Sequence, residues 1–106
     1  MAEEKDTDSG WKDGKYTFPL SKPIVTEDGE LKTLTIREPT ASDIIACGNP
    51  VEFNPISDPP SVRIRDREMG AMLSRLTNIS PVGIGRMAPK DLINAGWTLA
   101  PFFVPV

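Results

Sequence analysis

Apolar and polar positions follow two different periods along this chain, and the change of period marks its architecture. In the first third, Tyr16, Phe18, Leu20 and Ile24 share one parity, which gives an extended segment with one apolar face. Pro19 and Pro23 lack amide donors and predict that this segment lies at a sheet edge. Glu27-Asp28-Gly29-Glu30 predicts a turn, with Gly29 free to take a positive φ. Leu31-Lys32-Thr33-Leu34-Thr35-Ile36-Arg37 then reads as the returning strand, β-branched and with Leu34 and Ile36 on one face. A lone hairpin is marginal in water, so its apolar face needs a partner layer.

That layer is predicted from the remainder. Glu38 precedes a proline and stays extended. Thr40 follows as N-cap, with Asp43 three residues on: a capping box with Asp in place of Glu or Gln, which also puts negative charge at the positive end of the helix dipole. A short helix over 41–47 ends at Gly48-Asn49-Pro50. Pro55, Pro59 and Pro60 make residues 51–61 a linker. A second helix is predicted over about 61–77, with Met69, Met72, Leu73 and Leu76 as one stripe and Asn78 as its end. Ser80-Pro81 opens a short turn of helix to about 86, as N-cap followed by proline at the first helical position. A last helix is predicted over about 89–103, with Leu92, Ile93, Gly96, Leu99, Ala100 and Phe103 on one side and Pro101 kinking or ending it. The predicted fold class is α+β: an N-terminal hairpin over 16–37 packed on a small bundle of three or four short helices, all within one domain over 16–106. Residues 1–15 are polar and charged and read as a disordered tail, with Trp11 exposed.

Composition narrows the function classes. Twelve basic and fifteen acidic residues in a chain of 106 give a net charge of −3, which is no nucleic-acid footprint. No apolar run approaches the roughly 18–20 residues that span a bilayer, and the polar start carries no signal-peptide core. The chain reads as soluble and intracellular, with neither nucleic acid nor membrane as partner. Cys47 is the single cysteine and forms no intrachain disulfide; it reads as a small buried hydrophobe at a helix end.

Catalytic chemistry has little to work with. The chain contains no histidine, which removes the commonest general base and metal ligand together with every serine–histidine triad. Gly83-Ile84-Gly85 is a fragment of a phosphate loop with no strand before it. The carboxylates lack calcium-loop spacing, and Asp66 and Glu68 do not face each other on a helix. Arg63, Arg65 and Arg67 spread around a helix and interleave with acids, as a solvated face does. No cofactor, no metal and no enzymatic activity are predicted.

Apolar material is the remaining resource. The Met69–Met72–Leu73–Leu76 stripe is first of all core, although methionine also suits surfaces that accept varied helices. Trp97, Phe102, Phe103 and Val104 cannot all hide behind one short helix; they complete the core or form an exposed patch of the kind that marks an interaction site.

Four segments in order carry a family likeness: Lys22-Pro23-Ile24; Leu34-Thr35-Ile36-Arg37-Glu38-Pro39-Thr40-Ala41-Ser42-Asp43; Leu73-Ser74-Arg75-Leu76-Thr77-Asn78-Ile79-Ser80; and Met87-Ala88-Pro89-Lys90-Asp91-Leu92. Over about residues 20–103 the chain resembles the tail assembly chaperones of Mu-like phages and prophages. In that family a hairpin ending in an L-T-L-R-E-P-T type motif precedes a helix. The proline-rich loop over 48–60 departs from the pattern, and the segment before Tyr16 has no counterpart in it.

The resemblance implies a non-catalytic protein that coats the long, hydrophobic tape measure protein and keeps it soluble until tail tube subunits polymerise around it. It implies residence in the cytoplasm of the bacterial host and absence from the mature virion. It also implies, for some members, a longer form made by ribosomal frameshifting that could join the partners here. Met69, Met72, Trp97, Phe102 and Phe103 are the candidate partner contacts, whereas Arg37, Glu38, Pro39, Thr40 and Asp43 form a structural junction. The alternative is a small structural tail or connector component that shares the fold and stays in the particle.

Overall fold

A computed structural model describes residues 10–104. Among them lie strands β1 (Trp11–Lys12), β2 (Lys15–Thr26), β3 (Gly29–Arg37), β4 (Val51–Asn54) and β5 (Ser61–Ile64). The helices are α1 (Ala41–Cys47), α2 (Asp66–Thr77), α3 (Pro81–Ile84) and α4 (Pro89–Leu99), with a final 3₁₀ turn, Ala100–Phe102. The fold is α+β, as the change of period predicts.

β1, β2 and β3 form one antiparallel sheet in that order. Gly29 takes φ 118° at the β2–β3 turn, a value that costs a side-chain-bearing residue strain. Pairing runs in register from Lys15↔Arg37 to Pro19↔Thr33, breaks, and resumes at Ile24↔Leu31. The break is a bulge over residues 20–23, which takes Pro23 out of the ladder. β1 pairs only with Lys15 and Tyr16, so β2 is central at its start and an edge beyond it. The edge prediction therefore holds for the stretch that carries the prolines and fails for its first residues.

The buried face of the hairpin presents Phe18, Ile24, Leu34 and Ile36. Helix α2 is the hub beneath it, touching β3, α1, α3 and α4, while α3 and α4 also reach β2. Its Met69, Met72, Leu73 and Leu76 are all buried. Asn78 ends it in the left-handed region, φ 61°. Helix α4 comes close at Gly96, where a Cβ would stand 3.2 Å from Ile64 Cδ1 and 3.4 Å from Met69 Cγ.

Three expectations change. Residues 51–61 are no simple linker and 61–77 no single helix: β4 and β5 pair as a two-stranded ribbon, Val51↔Ile64 to Asn54↔Ser61, closed by the proline loop. The reason is a period-2 pattern at both ends, with Val51, Phe53, Val62 and Ile64 turned in and Glu52 and Arg63 out. Helix α2 starts only at Asp66, so Arg63 lies on a strand. The tail does not extend to residue 15: Trp11 is half-buried, its ring 5.3 Å from Tyr16 and 5.0 Å, edge-on, from Phe102. The earlier part of the predicted tail, residues 1–9, lies outside the described residues. At the other end, helix α4 stops at Leu99 because Pro101 cannot continue it, and the 3₁₀ turn takes over.

Candidate functional site

Two buried carboxylates fix the helices to the hairpin. Asp43 stands at the third position of α1, 1% exposed. Its Oδ2 accepts from the Thr40 amide at 2.7 Å, which closes the capping box at the start of α1. Arg37, the last residue of β3, grips it with both terminal nitrogens, Nη2 to Oδ1 at 2.8 Å and Nη1 to Oδ2 at 2.9 Å. Arg75 of α2 donates from Nε to Oδ1 at 2.6 Å. One side chain thus ties β3, α1 and α2 together. The bidentate Arg37 bond, helped by the Thr40 amide and Arg75 and opposed by burial, holds the Asp43 carboxyl far below the usual carboxylate range. Arg37, Pro39, Thr40 and Asp43 are brought together as a junction, while Glu38 points to solvent and contributes backbone: its amide bonds to the Gly14 carbonyl at 2.9 Å.

Asp91, in the first turn of α4, is also buried. It accepts from the Ser21 amide at 3.0 and 3.1 Å, from the Ser21 hydroxyl at 3.0 Å and from the Lys22 amide at 3.4 Å. The β2 bulge frees these amides from the ladder, and Asp91 satisfies them. In the sequence, Asp91 and Arg75 stand only within the family-like segments, and neither is assigned a partner. The available signals are a helix whose N-cap, Ala88, cannot cap, and a proline-flanked strand segment that must leave donors unpaired.

The candidate partner contacts divide. Met69 and Met72 are 0% exposed and Phe103 is buried, so these three lie in the core of this fold. The two methionines are buried because α2 is covered on every side that carries its apolar stripe. Trp97 and Phe102 remain at the surface, 49% and 42% exposed. Ile93, predicted inside, is exposed as well. At about 100° per residue, Leu92, Ala95, Gly96 and Leu99 face the core, while Ile93 and Trp97, one turn apart, share the opposite side. Helix α4 is therefore apolar on its inner face and carries an Ile–Trp pair on its outer one. None of these residues forms a metal-ligand group, and among the described residues no cluster of three or more His, Cys, Asp or Glu could hold a metal ion. Among them, too, no helix is long and apolar enough to cross a membrane.

A family model described as phage tail assembly chaperone proteins, E, or 41 or 14, matches residues 17–104. The chain belongs to the phage tail assembly chaperone family. The match spans the hairpin, the junction, the ribbon and all four helices, so both carboxylate ties and the outer face of α4 belong to the chaperone domain itself. Membership in a chaperone family implies a non-enzymatic role and protein partners in tail assembly. No curated protein and no solved structure matches the chain.

Proposed function

We propose that this chaperone binds the tape measure protein and keeps it soluble during tail morphogenesis, in the cytoplasm of the bacterial host, and that it leaves before the virion is complete. The observation that carries the reading is the outer face of α4, where Ile93 and Trp97 expose apolar surface on a helix that already has a full inner core. Phe102 follows just beyond the helix end. Such a pair matches the repeated apolar stripe of a long amphipathic helix. Each contact is small and weak, which suits a chaperone that must be displaced by tube subunits. Many copies along one long partner reach useful occupancy through multivalency.

Co-expression of the chain with the tape measure protein tests the proposal. The partner stays in the soluble fraction only when the chaperone is present, and the chaperone is missing from purified particles. Equal partner solubility with and without the chain overturns the chaperone reading. Stoichiometric presence in particles replaces it with a retained tail component.

A further inference from the structure

A second surface lies where the β2–β3 turn meets the corner between α2 and α3. A shallow groove of about 620 Å³ opens there. Leu31, Ile79 and Val82 supply its apolar wall, and Val82 is 67% exposed. Glu27 and Asp28 stand on its rim. Arg86 also lines it, and its Nη1 donates to the Val25 carbonyl at 2.8 Å. The cation is thus engaged by the hairpin backbone, and none of the ion pairs among the described residues involves Glu27, Asp28 or Arg86. The turn that carries the acids is braced: the Thr26 hydroxyl donates to the Gly29 carbonyl at 3.0 Å and receives the Asp28 amide at 3.2 Å. Two carboxylates that form no ion pair among the described residues are held at the mouth of an apolar groove, and they outnumber its one guanidinium, Arg86.

We propose that this groove docks an amphipathic helix of a partner polypeptide, one that carries lysine or arginine beside its apolar stripe. The apolar wall accepts side chains spaced at i and i+3 or i+4, as helix-in-groove recognition requires. The charge selects the occupant. Glu27 and Asp28 repel an acidic helix or a nucleic-acid strand and attract a basic flank, giving specificity and a salt-dependent association rate. The inference goes beyond the α4 reading and does not depend on it, because the two surfaces share no residue.

The test uses two designed helical peptides of about 18 residues with the same leucine stripe, one flanked by lysine and the other by glutamate. Each is titrated into the ¹⁵N-labelled full chain. The lysine peptide shifts the amides of Leu31, Ile79, Val82 and Gly83, and added salt weakens it. The double substitution Glu27→Lys with Asp28→Lys weakens its binding by about tenfold and strengthens that of the glutamate peptide. Val82→Asp weakens both peptides; all three positions are exposed, and an unchanged circular dichroism melt confirms the fold. Equal affinity for the two peptides, no binding of the lysine peptide, or shifts confined to Ile93 and Trp97 would each overturn the proposal. So would concentration-dependent self-association that the double substitution abolishes, which assigns the groove to a second copy.

Discussion

Helices α2 and α4 both carry apolar stripes, yet one is sealed and the other is open on its far side. The stripe of α2 meets β3, α1, α3 and α4, so its two methionines vanish from the surface. Helix α4 lies at the margin, with β2 and α2 on its inner face, and leaves Ile93 and Trp97 about half exposed. Residue type alone does not separate the two cases, since methionine also serves at adaptable surfaces and tryptophan is highly buried on average. Position in the packing order separates them: a hub helix spends its apolar residues on stability, and a marginal helix leaves some of them exposed.

Breaking the sealed side should cost most. Met72→Ala removes a fully buried side chain beneath the sheet and should lower the unfolding free energy by about 2–5 kcal/mol in urea titrations. A loss below about 1 kcal/mol would mean that the α2 stripe is not the main core.

The carboxylate ties come next. Asp43→Asn keeps the shape of the side chain but removes the charge that Arg37 and Arg75 grip. Both arginines are partly exposed and regain water, so the loss should be about 2–3 kcal/mol, less than for a fully buried pair. The pH dependence follows from the depressed carboxyl. Its ionised form stabilises the fold fully above the unfolded carboxylate range, near pH 4, and this contribution is lost as pH falls through and below that range. Wild-type stability should therefore decline below about pH 5, and the Asp43→Asn curve should be flatter there. Parallel curves would show that Asp43 is not the titrating tie. Asp91→Ala leaves the Ser21 and Lys22 amides without their acceptor and should cost about 1–3 kcal/mol, with faster amide exchange at those two positions as its specific mark.

The two ties also explain what could be read from the chain. Asp43 answers to Thr40, three positions earlier, and to Arg37 at the end of the preceding strand, so local capping rules find it. Asp91 answers to Ser21, some seventy positions away (|i−j| = 70), and no local period encodes such a partner. The hairpin was legible because its alternation is long and its turn carries glycine. The β4–β5 ribbon was obscured because each strand is only 4 residues and prolines dominate the loop between them. For the exposed apolar surface, aromatic content points to Trp97 and Phe102, and to Phe103 beside them. The inward placement of Phe103 and the outward placement of Ile93 depend on where α4 stops and how it rotates against Gly96.

The smallest effect on stability belongs to the open side. Trp97→Asp should change the unfolding free energy by no more than about 1 kcal/mol, because half of that side chain already meets water. The most direct measurement is the soluble fraction of co-expressed tape measure protein with the double variant Ile93→Asp and Trp97→Asp, alongside the variant's own thermal midpoint. The account predicts a midpoint close to wild type together with partner aggregation. A correctly folded double variant that keeps the partner as soluble as wild type does would contradict it.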